Sequence, residues 1–157
     1  MRFGIGYDIH QLIQNRPLII GGVKIDFELG LKGHSDADVL VHAIIDALLG
    51  SLALGDIGTH FPDNDEKFKD IDSLKLLKEV KDLIDKQGYK INNIDSNIIA
   101  QKPKMAPHIE QMRENIASVL NIELNQISIK AKTNEHQDSV GNLMSIVSNA
   151  VVSVVKK

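Results

Sequence analysis

The sequence predicts an α/β fold of the α+β sandwich type, in which helices cover one face of a mixed β-sheet. Segments with strand periodicity and segments with helix periodicity follow one another in the order β-β-α-α-β-α-β-α. The length of 157 residues, with 43% hydrophobic and 25% charged residues, suits one domain with a sizeable core. We therefore expect residues 1–157 to form a single domain.

Four segments have the alternation or the apolar content of β-strands, and they lie at residues 2–10, 17–26, 93–101 and 126–133. Gly21-Gly22 predicts a turn or bulge inside the second segment, and Pro103 follows the end of the third. Both faces of the strands are fairly apolar. We therefore expect a partner subunit to cover the sheet face that the helices leave open.

Four segments have the periodicity or the length of helices, and they lie at about 36–50, 73–88, 107–120 and 141–155. Ser35 is the predicted N-cap of the first helix, with Asp38 three positions later in capping-box spacing. The last segment is rich in valine, and only its length favours a helix over a buried strand. Residues 55–72 are hydrophilic and turn-rich, which predicts a long functional loop.

The composition excludes several classes of protein. A net charge of −3 provides no general attraction to nucleic acid or to an anionic membrane, and 4% aromatic residues disfavour binding by base stacking. The absence of cysteine excludes disulfides and thiolate metal sites, and no apolar run reaches membrane-spanning length. We expect no nucleic-acid or membrane partner. The expected location is the cytoplasm, or a plastid-type organelle if a targeting segment has been removed.

The opening segment contains a candidate metal site. Asp8 and His10 are two residues apart, so on a strand their side chains leave the same face. His42 lies in the first predicted helix, and two histidines with one carboxylate form a known ligand set for catalytic zinc. Asp46, one helical turn after His42, is a candidate partner for a liganding imidazole. The alternative is a structural Asp–His pair with His42 hydrogen-bonded in the core.

Other polar clusters are compatible with a phosphate substrate. Residues 33–38 precede a helix, whose N-terminus suits anions, and residues 56–65 contain carboxylates that suit a ribose or a hard cation. Residues 100–106 follow a strand end, and residues 130–135 combine a lysine, a hydroxyl and a carboxylate. Each cluster also has an ordinary interpretation, as a helix cap, a solvated loop or a polar strand edge.

Taken together, these motifs resemble the 2-C-methyl-D-erythritol 2,4-cyclodiphosphate synthase family, in order and at the family's spacing over nearly the whole chain. The motifs that carry the resemblance are Gly-Tyr-Asp8-Ile-His10, Gly-Gly-Val23, His34-Ser-Asp36-Ala-Asp38, His42, Asp46-Ala-Leu-Leu-Gly50, Ala-Leu-Gly-Asp56-Ile-Gly58, Phe-Pro-Asp63 and Pro103-Lys-Met105. The family closes 4-diphosphocytidyl-2-C-methyl-D-erythritol 2-phosphate into the cyclic diphosphate by attack of the 2-phosphate on the β-phosphorus. The reaction releases CMP and belongs to the non-mevalonate route to isoprenoids.

The resemblance implies two metal ions in each site. Asp8, His10 and His42 match the family's ligands for Zn²⁺ or another divalent transition metal. Glu135 matches the residue that helps to hold Mg²⁺ or Mn²⁺ against the substrate diphosphate. Asp46 keeps its expected place behind the histidines. The family is a homotrimer with its sites between subunits, and the sheets of the three subunits pack together.

The resemblance also implies a substrate site for a cytidine diphosphate compound, with His34 and Thr133 stabilising the transition state. The implied substrate-binding residues are Asp8, His10, His34, Ser35, Asp56, Ile57, Gly58, Phe61, Pro62, Asp63, Asn64, Asp65, Ala100, Gln101, Lys102, Pro103, Lys104, Met105, Ala106, Lys132, Thr133, Asn134 and Glu135. Asp56 and Gly58 match the ribose site, and residues 100–106 match the loop around cytosine, with Lys104 near the diphosphate.

The chain departs from the family pattern at three positions. Ser139 and Asn142 replace a phenylalanine and an arginine that line a cavity on the family's threefold axis, and Lys132 stands where threonine is more frequent. We expect weaker anion binding on that axis. Two other functions remain open at this point: a zinc-dependent phosphoester hydrolase, and a nucleotide-binding regulatory trimer whose metal is structural.

Overall fold

A five-stranded mixed sheet with helices on one face forms the centre of the structure, as the sequence predicts. The computed structural model describes residues 1–157. Its strands are β1 (Arg2–Gln14), β2 (Leu18–Ile20), β3 (Val23–Ile25), β4 (Leu29–Leu31), β5 (Tyr89–Ile99), β6 (Ile127–Lys132) and β7 (Ser145–Lys156). The sheet has the order β4-β1-β7-β5-β6, while β2 and β3 form a separate hairpin. Only β5 and β6 run parallel to each other.

The helices lie between and beside these strands. They are α1 (Val39–Ser51), α2 (Ile57–His60), α3 (Ser73–Lys86), α4 (Ile109–Leu120) and α5 (Asp138–Gly141), with 3₁₀ turns at Glu66–Phe68, Ala106–His108 and Leu124–Gln126. Helix α1 is buried almost all round because it packs between β1 and β7 on one side and α3 on the other. None of the helices has the length and apolarity that crossing a membrane requires.

Two glycines bring α1 into direct contact with β1. A Cβ atom at Gly4 would collide with the carbonyl oxygen of Ala47, and one at Gly6 with the carbonyl oxygen of Ala43. Only glycine permits this approach of backbone to backbone. The glycines therefore allow the next two residues on the same face of β1, Asp8 and His10, to lie beside α1.

The C-terminal segment is a strand, and the prediction of a helix over 141–155 was wrong. Strand β7 pairs with both β1 and β5, so it is central in the sheet. Its β-branched residues fit this position, because such side chains pack well on a pleated surface and lose freedom in a helix. Length misled the prediction, since two neighbouring strands of matching length stabilise a long strand.

Several boundaries also differ from the prediction: β1 extends to Gln14, β5 begins at Tyr89, and the short β4 was not predicted. Residues 17–26 form the β2–β3 hairpin, which turns at Gly21-Gly22 as predicted, so the segment is two short strands and not one. Helix α1 begins at Val39, and its N-cap is Asp38 rather than Ser35. Helix α2 and a 3₁₀ turn interrupt the predicted loop over 55–72. The positive φ angles of Gly21 and Gly22 form the hairpin turn. Aspartate side chains that accept backbone N–H groups set the starts of α1, α2 and the 3₁₀ turn.

The sheet face opposite the helices exposes a row of apolar side chains. Phe3, Ile5, Tyr7 and Ile9 alternate along β1, and Val151 lies beside them on β7. Their exposed fractions range from 44% to 77%. Apolar side chains that are contiguous on a sheet face are typical of a surface that another protein covers.

Candidate active site

Asp8, His10 and His42 converge where β1 meets α1. Asp8 Oδ2 lies 2.9 Å from His10 Nε2 and 3.1 Å from His42 Nδ1. The two ring nitrogens are 3.2 Å apart. Their side chains are 24%, 18% and 11% exposed in that order, so the group is shielded yet reachable from solvent. We call these three residues the triad.

Hydrogen bonds from behind orient both imidazoles. His10 Nδ1 lies 2.7 Å from the carbonyl oxygen of Lys32, and because a carbonyl only accepts, Nδ1 carries the proton. Ser73 Oγ donates to Asp36 Oδ1 at 2.5 Å and so accepts from His42 Nε2 at 2.8 Å. These bonds leave Nε2 of His10 and Nδ1 of His42 free to face Asp8.

The triad fits a divalent metal ion. Two ligand atoms of a tetrahedral zinc site lie about 3.3 Å apart when the metal–ligand bonds are about 2.0–2.1 Å long. The three facing atoms of the triad lie between 2.9 and 3.2 Å apart, and the group as a whole meets the spacing of a metal site. Three protein ligands leave the fourth position for substrate, as in catalytic rather than structural zinc sites.

The electrostatics of the triad favour an ionised carboxylate. Burial alone would raise the pKa of Asp8, but hydrogen bonds and charge attraction from His10 and His42 outweigh it and hold the pKa well below its usual range. Burial opposes the charge on His10, yet the hydrogen bond with Asp8 raises the pKa of that imidazole. Asp8 therefore carries the negative charge that a metal ligand needs.

A cavity of about 200 Å³ opens beside the triad, and we call it the triad cavity. It brings together predicted site residues from three separate segments of the chain. The residues that line it are Asp8, His10, Gly33, His34, Ser35, His42, Ile57, Gly58, Phe61, Asp63, Phe68 and Leu76. The sequence motifs around residues 34, 42 and 58 are thus close together in space, although they are separated along the chain.

Some predicted loop residues support the triad cavity without lining it. Asp56 caps α2 by accepting the backbone N–H and the hydroxyl of Thr59, both at 2.8 Å. Asp65 caps the following 3₁₀ turn. Pro62 and Asn64 lie in the same loop and are outside the cavity wall. These carboxylates shape the backbone that carries Gly58 and Phe61.

A second cavity, of about 180 Å³, lies where β5 and β6 end, and we call it the strand-end cavity. It brings together the other predicted site residues. The residues that line it are Ala100, Gln101, Pro103, Lys104, Met105, Ala106, Ala131, Lys132 and Thr133. Thr133 Oγ1 donates to Glu135 Oε1 at 2.9 Å, and Lys102, Asn134 and Glu135 adjoin the cavity in the same segments.

The two cavities share no residue, although they lie at the same level of the sheet. Ile9 pairs with Val147, Val147 pairs with Ile99, and Ile99 pairs with Lys132. Two to three strand spacings separate β1 from β5 and β6, which is roughly 10–15 Å. Neither of the two cavities contains both His34 and Thr133.

Asp46 does not have the predicted contact with a liganding histidine. Its Oδ1 accepts the backbone N–H of Ile57 at 2.7 Å, so it connects α1 to α2. Burial raises the pKa of Asp46, and the nearby charges of Asp56 and Asp8 act in the same direction. The prediction was wrong because Lys32 and Ser73 already occupy the outer nitrogens of the two imidazoles.

The N-terminus of α1 is not an open anion site. The Asp38 carboxylate accepts the N–H groups of Gly21, Gly22 and Val41 at 2.8–3.1 Å. Burial and the neighbouring charge of Asp36 nevertheless raise the pKa of Asp38 to about 6. Because Asp38 fills this position, the helix dipole is not available to a phosphate there.

The sequence analysis missed two groups of positioning residues. Ser73 and Asp36 orient His42, although the sequence identified Ser73 only as the start of a helix. Gly4 and Gly6 set the approach of α1, and they are not among the predicted site residues. A signal was present, since glycine at alternate positions of a strand indicates close approach of another backbone.

Comparison with known proteins now adds to this geometry. Residues 1–155 match the sequence model of the YgbB family. The chain belongs to the YgbB family. It is 62% identical over 157 residues to the protein from Clostridium botulinum strain Alaska E43 named 2-C-methyl-D-erythritol 2,4-cyclodiphosphate synthase, with 100% of both chains covered. A protein of the same name from Alkaliphilus oremlandii is 60% identical over 156 residues, which are 99% of each chain.

Solved structures of this family share the fold. The Plasmodium falciparum protein described as IspF in complex with CDP matches with a TM-score of 0.87 and 39% identity, over 99% of this chain and 96% of the other. The bifunctional IspDF from Campylobacter jejuni matches with a TM-score of 0.96 and 39% identity over 99% of this chain. This chain spans 42% of the length of that bifunctional protein.

Proposed function

We propose that this YgbB-family chain is a phosphorus–oxygen lyase. It converts 4-diphosphocytidyl-2-C-methyl-D-erythritol 2-phosphate to 2-C-methyl-D-erythritol 2,4-cyclodiphosphate and CMP, in isoprenoid precursor biosynthesis. The names of full-length relatives support this activity. The observation on this chain that carries the proposal is the convergence of Asp8, His10 and His42 beside a cavity. We also propose that residues 1–157 act as one catalytic domain.

The reaction needs neutralisation of charge more than a protein nucleophile. An oxygen of the 2-phosphate forms the new bond to the β-phosphorus, and the bond between that phosphorus and the bridging oxygen breaks. The electron pair of the broken bond leaves with CMP. Because two anionic groups approach each other, positioning and positive charge are the main contributions a protein can make.

The residues present suit two divalent ions. When bound, such ions supply positive charge that offsets the repulsion between the phosphates. Asp8, His10 and His42 would hold the first, for which zinc is preferred on ligand type, although the set also suits Mn²⁺, Co²⁺ or Fe²⁺. Glu135 would help to hold Mg²⁺ or Mn²⁺ together with the substrate diphosphate.

Side chains of both cavities would bind the rest of the substrate. His34, in the wall of the triad cavity, donates to a phosphate oxygen. Asp56 accepts hydrogen bonds from ribose hydroxyls, and the hydrogen bonds from Thr59 keep its pKa below the usual range, so it stays ionised. The backbone of residues 100–106 surrounds cytosine at the strand-end cavity, where Lys104 and Lys132 add positive charge.

We propose a homotrimer with each site formed between two subunits. Two features support it: the exposed apolar row on β1 and β7 provides a surface for another copy, and the two cavities of one chain share no residue. A neighbouring subunit would then bring its strand-end cavity to the triad cavity of the first. The bacterial origin of the relatives named above supports a cytoplasmic place of action.

We propose that anion binding on the trimer axis is weak. Asn142 donates to the carbonyl oxygen of Asp138 at 2.6 Å, and the Ser139 hydroxyl lies 2.9 Å from the Ser145 hydroxyl. Neither residue supplies a positive charge. Titration with geranyl diphosphate is expected to give little binding; tight binding that Asn142→Ala abolishes would contradict the proposal.

A product assay tests the activity directly. The protein is incubated with the cytidylyl substrate, Zn²⁺ and Mg²⁺, and phosphorus NMR follows the products. Cyclic diphosphate together with CMP is the expected result. Release of a linear phosphate would indicate a hydrolase instead, and no turnover with a purified, metal-loaded protein would refute the proposed activity. Metal analysis of the same sample identifies the ion that the triad holds.

A further inference from the structure

Arg16 contacts the backbone on both sides of His34. It lies in the turn after β1, and its guanidinium donates to the carbonyl oxygen of Ser35 at 2.7 Å and to that of Gly33 at 3.2 Å. Between them, the carbonyl oxygen of His34 accepts the N–H of Asp70 at 2.8 Å. Three successive carbonyl groups are therefore fixed by donors from outside the segment.

The turn that carries Arg16 is itself fixed. A Cβ atom at Gly30 of β4 would collide with the carbonyl oxygens of Arg16 and Pro17, so this turn packs directly on β4. Strand β4 in turn pairs with β1, and Gly30 lies opposite Ile13. Arg16 thus connects residues 33–35 to β4 at the edge of the sheet.

Residues 32–35, which include the segment held by Arg16, contact both triad histidines. The carbonyl oxygen of Lys32 lies 2.7 Å from His10 Nδ1, and Ser35 Oγ lies 3.3 Å from His42 Nε2. The His34 side chain has no hydrogen-bond partner within the chain, so the position of its backbone is the main restraint on where the imidazole lies in the triad cavity. A shift of residues 33–35 would move His34 relative to the triad.

Arg16 makes these contacts at a cost, which indicates more than a surface role. Its Nε is buried without a hydrogen-bond partner. The nearest carboxylate, Asp70, is 3.9 Å from the guanidinium and 72% exposed, so it compensates little of the charge. A buried donor without a partner is rare in proteins and calls for an explanation.

We infer that Arg16 is a positioning residue. Its hydrogen bonds to the carbonyl groups of Gly33 and Ser35 fix the position of His34 relative to the triad. The inference rests on the proposed function, because His34 must act on the substrate for its position to affect turnover. Arginine is suited to this role since its planar fork reaches two carbonyl groups at once, whereas lysine offers a single point of charge.

Kinetics of Arg16→Ala and Arg16→Lys test the inference. We expect kcat to fall about 100-fold in Arg16→Ala, as for a small misplacement of a reacting group, with KM nearly unchanged. Arg16→Lys recovers only part of the loss. Methylguanidinium is expected to raise the kcat of Arg16→Ala and not that of Arg16→Lys. Zn²⁺ affinity should stay within about 3-fold of wild type, because Lys32 is held by its own N–H bond to the carbonyl oxygen of Gln11 and Ser73 by Asp36, both independently of Arg16.

Arg113→Ala is the matched control. Arg113 lies on α4, away from both cavities. Its guanidinium also donates to two carbonyl oxygens, those of Ile127 at 3.0 Å and Leu124 at 2.6 Å. It should lower the melting temperature and leave kcat unchanged. If Arg16→Ala lowers kcat no more than Arg113→Ala does, or if methylguanidinium does not rescue it, Arg16 is only a structural brace.

Hydrogen exchange separates this inference from the proposed function. The amide of Asp70, which donates to His34, is expected to exchange faster in Arg16→Ala than in Arg113→Ala. If the Asp70 amide exchanges faster in Arg16→Ala and the wild-type protein is inactive, the proposed activity is refuted. The inference that Arg16 holds residues 33–35 then still stands. If the Asp70 amide exchanges at an unchanged rate in an active, native-like Arg16→Ala, Arg16 does not hold residues 33–35 and the inference is wrong.

Discussion

The triad cavity and the strand-end cavity differ in what holds their walls. In the triad cavity both imidazoles are fixed by further groups of the same chain, His10 by the carbonyl oxygen of Lys32 and His42 by Ser73. In the strand-end cavity Lys104, Lys132 and Thr133 are exposed, and Thr133 bonds only within its own segment. The contrast indicates that one chain preorganises the triad, which could hold a metal ion, whereas it leaves the strand-end cavity open to solvent.

His42→Ala gives the largest expected effect. Loss of a ligand removes a contribution of several kcal/mol to neutralising phosphate charge, which corresponds to a fall in turnover of roughly 10³-fold or more. Product formation and bound zinc are measured on the same sample. His108→Ala, a histidine outside both cavities, serves as the control and should keep both. Near-normal turnover in His42→Ala would refute the ligand assignment.

Complementation between two inactive variants tests whether the cavities of different subunits meet. His42→Ala disables the triad cavity, and Lys104→Glu places a negative charge at the strand-end cavity. Trimers that contain both variants are isolated with two affinity tags. In any such trimer one site in three combines an intact triad with an intact strand-end cavity, so about one third of wild-type activity is expected. Activity no higher than that of the separate variants would place each site within one chain.

The sequence predicted the triad cavity better than it predicted the fold around it. Asp8 and His10 were paired correctly because strand geometry is local, and His42 was added as the second histidine of a zinc-type ligand set. Strand β7 was missed because its pairing with β1 and β5 involves residues far apart in the chain. The predicted contact of Asp46 with a histidine was wrong for a related reason. Tertiary packing decides which group bonds an imidazole, and here Lys32 and Ser73 bond the outer ring nitrogens of His10 and His42.

Ser73→Ala measures how much the support behind the triad contributes. The variant removes the acceptor of His42 Nε2 and leaves all three ligands in place. Such outer contacts typically contribute about 10–100-fold to metal affinity, and we expect a loss of that size in zinc titrations. Ser51→Ala is the control, because Ser51 is also buried and its hydroxyl bonds only to the carbonyl oxygen of Leu48. Equal zinc affinities in the two variants would show that Ser73 has no such role.

The pH dependence of stability gives the smallest expected effect and distinguishes the cavities by charge. In the metal-free protein the pKa of His10 is raised above 6.5 and that of Asp8 is lowered below 3.8. The pair therefore stabilises the fold fully between these two values. Its contribution is lost as the pH rises through the folded pKa of His10, and also as the pH falls through that of Asp8.

With a chelator present, the melting temperature should thus decline above pH 6.5, by the equivalent of up to about 2 kcal/mol for one charge-assisted hydrogen bond. Zinc should reverse this slope, because it binds the deprotonated imidazole and its affinity rises with pH. Lys104→Glu, which alters only the strand-end cavity, should keep the wild-type slope, whereas Asp8→Asn should lose it. If the melting temperature of Asp8→Asn still declines above pH 6.5, a group outside the triad controls the pH dependence. The pH dependence of stability would then not be a property of the triad cavity.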